Sequence, residues 1–369
     1  MSSKKFQTIF DCGLSKIRAG TFNKENHDEA FYIEGNFFSD SSSLKLEIHK
    51  IIISLEKDTH EYINNIDLMV DSPNMLSIGI SVSKKIEDSK LRQGNIQFLV
   101  QEAKQQILKH YLNYAVIHIV VNNYKIDNID YSYLPDEIEC QFVSLDINFI
   151  CLPNKLTLNF KNIFSESNIS INQIICSSYA KSINYKNNLN STSNVSFIDI
   201  GFKKTSIISY FNDKFLSLDV LPVGGNHITK DISQILKIDL EEAEKLKLNF
   251  NEIHKYINNK DFSMEILQKI AFARVEEILE LCARSVESQV LMSGQPKMIL
   301  MGEGSKILDN QFKDKILFPK DIDFLEETIE DICQSGFKLG AGLNKQEVVV
   351  IPKKQTNKGF FEKLFHFFN

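Results

Sequence analysis

Val195-Ser-Phe-Ile-Asp-Ile200-Gly201-Phe202-Lys203-Lys204-Thr205 is the stretch whose reading decides the fold. An apolar run carries one aspartate, Asp199, to the mouth of a turn where Gly201 admits positive φ, and the chain then returns as a second strand. The same arrangement stands near the N-terminus. There Phe6-Gln-Thr-Ile-Phe-Asp11 leads into Cys12-Gly13-Leu14-Ser15-Lys16, and an extended pattern resumes from Lys16 to Gly20. A strand-turn-strand unit that occurs twice predicts an internally duplicated, two-lobed α/β fold. In such a fold Asp11 and Asp199 face one another across a cleft. Backbone N–H groups of the two turns converge on a phosphate, the carboxylates organise a hydrated Mg²⁺, and Lys16 supplies a point charge. A single Asp-x-Gly marks an ordinary turn. Two copies, followed by Met301-Gly302-Glu303-Gly304-Ser305 as a strand-to-helix turn suited to an adenosine, predict a nucleotide site.

Outward from these turns, periodicity predicts strands over Thr21 to Phe38 and Asn65 to Val82, with a helix from Ser42 to Leu55 between them. Lys84 to Leu152 reads as an inserted subdomain: a helix over Gly94 to Tyr111, then strands over Ala115 to Val121 and Cys140 to Cys151. A helix over Lys155 to Phe164 and a strand over Ile171 to Ile175 follow, and the polar Asn184 to Asn194 run predicts an exposed loop. The second lobe adds helices over Gly225 to Leu236, Asp239 to Leu248 and Ser263 to Val290, and a strand over Lys297 to Met301. The expected division is 1–83 and 153–194 for the first lobe, 84–152 for the insertion, and 195–345 for the second lobe. A linker at 346–358 and a terminal helix at 359–369 complete it.

The 369 residues, 43% of them hydrophobic, suffice for more than one core. A net charge of −6 without a Lys/Arg block argues against nucleic acid as a partner. Six cysteines without a CxxC predict buried reduced thiols rather than zinc ligands or disulfides. Met-Ser-Ser-Lys-Lys opens directly on a strand with no signal-peptide pattern, and no apolar run reaches about 18 residues, so a cytoplasmic body is expected.

The last segment, Gly359 to Asn369, places Phe360, Phe361, Leu364, Phe365 and Phe368 on one helical face and Glu362, Lys363 and His366 elsewhere. At about 1.5 Å per residue this helix is about 15 Å long, half of a hydrocarbon core of about 30 Å, so it lies on a membrane rather than spanning it. Lys353, Lys354, Lys358 and Lys363 favour anionic lipid. The alternative is a tail helix docked on the protein's own body.

The paired turns, together with Leu221-Pro-Val-Gly-Gly-Asn-His-Ile-Thr-Lys-Asp-Ile232 and Glu242-Ala-Glu-Lys-Leu-Lys247, resemble the actin-like ATPases, and among them the FtsA family of bacterial cell division. The resemblance extends from Phe10 to Phe368. It implies ATP or ADP with Mg²⁺ near Asp11 and Asp199. Residue by residue, Asp11, Gly13, Ser15 and Lys16 match the first phosphate loop, and Asp199, Gly201 and Thr205 the second. Gly224, Gly225 and Asn226 match the turn near the terminal phosphate, Glu244 and Lys247 the ribose and base contacts, and Gly302, Gly304 and Ser305 the adenosine loop. Phe202 and Lys203 stand where the family commonly has glycines, and Ser206 where it has an acid. Lys203 then offers a compensating cation, and at most weak ATPase turnover is expected. The resemblance further implies self-assembly into a filament, the C-terminal peptide of FtsZ and other division proteins as partners, and a place on the cytoplasmic face of the inner membrane at the division site.

Two other readings remain at this point. A pilus-assembly actin-like scaffold shares the insertion but not the Phe-rich tail, and a small-molecule kinase of the same superfamily has no use for either. An Hsp70-like chaperone would need a substrate domain after residue 350. His118, within Ala115-Val-Ile-His-Ile-Val-Val121, is expected to be a core histidine, and the acidic Glu326-Glu327 to Glu330-Asp331 run a solvated helix face.

Overall fold

The N-terminal hairpin closes at Gly13–Ser15: β1 (Phe6–Cys12) pairs antiparallel with β2 (Lys16–Asn23), which sets Asp11 opposite Arg18. The computed structural model that shows this describes residues 5–26, 28–37, 39–91, 93–131, 134–135, 138–189, 194–249, 264–289, 296–307, 322–341 and 348–350. The run predicted from Thr21 to Phe38 breaks in two. After β2 the chain turns and returns as β3 (Ala30–Asn36), antiparallel to β2. Helix α1 (Ser41–Thr59) starts at Asp40, whose carboxylate accepts from the Ser43 N–H at 2.8 Å, and buries Leu44, Ile48, Ile51, Ile52 and Leu55 along one face. β4 (Asn65–Val70) and β9 (Ser170–Ile175) extend the sheet in parallel on the other side of β1, giving the order β3-β2-β1-β4-β9.

The second lobe repeats that plan. β10 (Val195–Ile200), β11 (Thr205–Phe211) and β12 (Lys214–Leu221) are antiparallel, and β13 (Lys297–Met301) and β14 (Ile322–Phe324) add in parallel, giving β12-β11-β10-β13-β14. The duplicated actin-like architecture is therefore present, with β1 and β10 as equivalent central strands. Both are covered on two faces: every residue of β10, and β1 from Thr8 onward, is buried. Helices α5 (Gly225–Leu236), α6 (Leu240–Leu248) and α7 (Met264–Gln289) bury one face of the second sheet, with Ile228, Ile232, Leu246, Leu267, Val275 and Leu279 in that core.

A third sheet follows the order β15-β6-β8-β5. It contains β5 (Leu76–Lys90), β6 (Tyr114–Ile126), β7 (Ile129–Tyr131), which pairs with β6, β8 (Glu139–Pro153) and β15 (Val348–Val350). Helix α2 (Gln93–His110) packs Leu99, Ala103 and Ile107 onto it. The predicted Asn65 to Val82 strand is thus two: β4 stays in the first lobe, and β5 belongs to the third sheet from Leu76 onward. Helix α3 (Asn154–Ser165) leads back to β9.

Helix α4 (Ser177–Asn188) corrects the sequence reading most sharply. The exposed loop expected from Asn184 is instead the end of this helix, and Asn184, Tyr185 and Lys186 are buried. α4 lies between the lobes and against the last helix among the described residues, α8 (Ile329–Gly340), so its polar side chains meet polar partners rather than water. Asn184 donates to Ser335 Oγ at 3.1 Å, and Lys338 Nζ donates to Asn184 Oδ1 at 2.9 Å. The predicted terminal helix, with Phe360, Phe361, Leu364, Phe365 and Phe368, lies outside the described residues, as does nearly all of the 346–358 linker.

His118 of β6 is a core residue, fully buried, and its Nε2 accepts the Cys176 N–H at 2.9 Å where β9 hands over to α4. Burial pushes its pKa down to about 3. Folded His118 therefore stays neutral where the unfolded chain binds a proton, from about pH 6.5 downward, so stability is lost as pH falls through that window. Unfolding in urea is expected to show about 2 kcal/mol less stability at pH 5 than at pH 7 from this residue. In a His118→Gln variant the same comparison should lose that slope. The six cysteines are free thiols and buried, as expected.

Candidate functional site

The two equivalent central strands end side by side, and each delivers its aspartate to the cleft. A cavity of about 80 Å³ opens there, lined by Asp11, Gly13, Ser15, Asp199, Gly201 and Gly302 among the residues anticipated. The other walls were not anticipated: Arg18, Asp71, Ser177, Lys181, Lys204, Glu303 and Glu327.

On the first-lobe side, Arg18 sits across the hairpin from Asp11 and bridges three carboxylates. These are Asp11 at 3.3 Å, Glu34 at 3.2 Å and Glu303 at 2.6 Å. Ser177 Oγ donates to the other Asp11 oxygen at 2.7 Å. Burial pushes the Asp11 carboxyl up, and Arg18 and Ser177 offset only part of that. Lys16, the expected phosphate cation, turns out of the cleft to Glu34 at 2.6 Å. Arg18, two residues on and on the same face of β2, is the cation that lines the cavity, and it shares the Glu34 carboxylate with Lys16.

On the second-lobe side, Lys181 of α4 reaches Asp199 at 3.0 Å and Glu327 at 3.2 Å, all three side chains being buried. Burial opposes charge on Lys181, but Asp199, Glu327 and Asp11 outweigh it and hold the ammonium well above the usual lysine range. Lys204 reaches Asp71, beyond the end of β4, at 2.8 Å. Burial pushes the Asp71 carboxyl up, and Lys204 more than cancels this, leaving it below the usual carboxylate range. The Ser178 N–H at the start of α4 also donates to Asp71, at 3.1 Å. Lys203, the compensating cation of the sequence reading, is exposed, and its neighbour Lys204 is the one in the cleft.

The remaining predicted contacts are close in space and already partnered. The N–H groups of Gly225 and Asn226, which begin α5, donate to the carbonyls of Gly201 at 2.9 Å and Phe202 at 2.7 Å. A Cβ on Gly224 would meet the Gly201 oxygen at 2.4 Å, so this turn is pressed against the second loop. Thr205 Oγ1 donates to the Val223 carbonyl at 2.8 Å. Lys247 donates to Glu244 at 2.7 Å, Thr229 at 2.9 Å and the Gly225 carbonyl at 3.3 Å, and it lies 5.8 Å from the centroid of the Phe202 ring. Gly302 has φ of +91°, and its N–H donates to Glu327 at 2.7 Å. Ser305 Oγ turns back to the Gly302 carbonyl at 2.7 Å, and a Cβ on Gly304 would meet Ile200 at 2.6 Å. Glu327, read from sequence as part of a solvated face, is buried at the centre of the site.

These residues do not fit a Mg-nucleotide in this arrangement of the lobes. The two carboxylates placed to organise Mg²⁺ near Asp11 and Asp199 are paired with Arg18 and Lys181, and the N–H groups of Gly225, Asn226 and Gly302 are spent within the protein. The cavity bounded by the described residues, about 80 Å³, has room for a few waters, whereas pockets for small molecules start at about 300 Å³. Among the described residues no group of three His, Cys, Asp or Glu is placed to hold a metal ion.

Residues 196–303, from β10 to the Gly302 loop, match the family model described as cell division protein FtsA. The FtsA of Buchnera aphidicola (subsp. Acyrthosiphon pisum) is 22% identical over 350 residues, covering 83% of this chain and 82% of the relative. That of Neisseria meningitidis serogroup B is 23% identical, covering 80% and 76%. The chain is similar in sequence to FtsA over most of its length. The FtsA of Bacillus subtilis is 33% identical over a shorter stretch, 32% of this chain and 33% of that protein. Among solved structures, the type IV pilus biogenesis complex PilM-PilN aligns with a TM-score of 0.62 at 14% identity, covering 91% of this chain and 96% of that one. The ethanolamine utilization protein EutJ of Carboxydothermus hydrogenoformans aligns at 0.53 with 9% identity, covering 91% and 90%. At those identities the structures speak for the actin-like fold. The FtsA relationship comes from sequence.

Proposed function

We propose that this FtsA-related chain is a scaffold of the bacterial division machinery. It assembles with copies of itself on the cytoplasmic face of the inner membrane at the division site, and holds a tubulin-like polymer there through the C-terminal peptide of FtsZ. The observation that carries the reading is the FtsA match over residues 196–303, set within a chain whose two sheets have the actin-like order. The pilus scaffold shares the fold, but the family match favours division over it.

Two features support the assembly and the membrane. Helix α2 of the third sheet leaves Phe98 and Leu108 exposed, with Tyr111 and Leu112 just beyond it, a surface suited to a neighbouring subunit in a head-to-tail filament. No helix among the described residues is long and apolar enough to cross a membrane, so attachment falls to the Phe-rich segment at 359–369. Avidity between neighbouring subunits would strengthen that attachment. ATP or ADP enters the cleft only by displacing internal partners, so turnover is at most weak.

Co-sedimentation of the full chain with anionic liposomes tests the reading. Phe361→Glu combined with Phe365→Glu places two carboxylates on the inserting face and is expected to release the protein at physiological salt. The same assay with added FtsZ C-terminal peptide should bring the peptide down with the unmodified chain. Continued pelleting of the double variant, or a peptide left in solution, would count against the scaffold.

A further inference from the structure

Glu327 makes the three contacts that a bound anion would make in this cleft. Its carboxylate accepts the Gly302 N–H at 2.7 Å, the Tyr185 hydroxyl at 2.8 Å and the Lys181 ammonium at 3.2 Å. The segment bearing it is fixed at both ends. On one side the Leu325 N–H donates to the Leu300 carbonyl at 2.9 Å, and on the other Thr328 caps α8 by accepting from the Asp331 N–H at 3.1 Å. Lys181, from between the lobes, joins this carboxylate to Asp199 of the second lobe.

Two further ion pairs cross the cleft beside it. Arg18 of the first lobe meets Glu303 of the second at 2.6 Å, and Lys204 of the second meets Asp71 of the first at 2.8 Å. Arg18, Lys181, Lys204, Asp11, Asp71, Asp199 and Glu327 are all buried. Charges taken out of water in this way persist only when paired with good geometry, and here each has a partner of opposite sign.

We propose that the cleft carries its own ligand: Glu327 and Lys181 take the seats of a phosphate and its cation, and together with Arg18–Glu303 and Lys204–Asp71 they hold the lobes closed without Mg-nucleotide. A nucleotide shifts an equilibrium only by binding one state better than the other, and a state already closed from within leaves it little to favour. Lobe closure in this chain is therefore constitutive. The inference concerns the cleft alone and does not rest on the division reading.

Hydrogen exchange and calorimetry on the full chain, without lipid or partner, test it. With 1 mM Mg-ATP the wild-type chain should show no saturable heat and unchanged exchange in β10 and α4. Micromolar binding, or protection gained on adding Mg-ATP, would overturn the proposal. Arg18→Gln with Lys204→Gln removes both flanking pairs and should raise exchange in β10 and α4 by tenfold or more while far-UV circular dichroism shows a folded chain. Unchanged exchange in that folded variant would also overturn it. If it fails to fold, Arg18→Lys, which keeps charge but loses the fork of three carboxylate contacts, should show the smaller increase, and no increase would again overturn the proposal.

Discussion

Lys181→Met is expected to destabilise the chain by about 3–5 kcal/mol, because removing one member of a buried ion pair leaves its partners charged and unpaired. Lys181 stands between Asp199 and Glu327, and the methionine would leave two buried carboxylates facing each other with no cation between them. Burial already pushes the Glu327 carboxyl up, with Lys181 the main opposing influence and Asp199 raising it further. Without Lys181, proton uptake by Glu327 is the cheapest relief, so the variant should lose least stability at acid pH. Thermal unfolding at pH 7 should move down by roughly 5–10 °C. Adding Glu327→Gln removes one of the stranded charges and is expected to restore about 1–3 kcal/mol, a coupling that only groups in contact show. Equal melting of wild type and Lys181→Met would mean that the lysine does not hold this centre together.

The second large effect is expected at Gly336. Helix α8 lies against β1, β2 and β4, and Gly336 lets it approach closely: a Cβ there would meet Met69 Sδ at 2.3 Å and Ile9 Cγ2 at 2.9 Å. Alanine improves helix propensity by about 1 kcal/mol, but the packed strands of the first lobe cannot yield the needed space cheaply. Gly336→Val, larger and β-branched, is expected to cost about 3 kcal/mol or more and to shift α8 off the sheet. Because Thr328, the residue after Glu327, caps α8, that shift should also loosen the centre of the cleft. Urea unfolding measures the stability. Hydrogen exchange at Gly302, whose N–H donates to Glu327, measures the loosening. A fully stable Gly336→Val protein would show that α8 has room to spare.

Much of the fold was legible before the structure. β1 and β10 announce themselves as short β-runs that each carry an aspartate to a glycine turn, because a strand ending at a cleft presents its carboxylate where the chain emerges. The amphipathic α1, α2 and α5 follow from 3.6-residue periodicity. Arg18 was within reach as well, since a hairpin turning at Gly13–Ser15 sets residue 18 opposite residue 11. Lys204 was obscured by Lys203, because two adjacent lysines at the end of a tight turn give no local sign of which one points inward.

Sequence by itself determined the duplicated strand-turn-strand plan, the FtsA resemblance and the convergence of Asp11 and Asp199, all of which rest on short-range patterns of apolar runs, glycines and carboxylates. Only the tertiary structure decided what fills the cleft. Asn184-Tyr-Lys186 opens the run that reads as an exposed loop, and Glu327 reads as one acid in a solvated cluster, yet all four residues are buried. The physical reason is that the environment of a polar group is set by what is brought against it. Lys181 and Glu327 lie 146 positions apart along the chain, and each makes the other's burial tolerable once the lobes close.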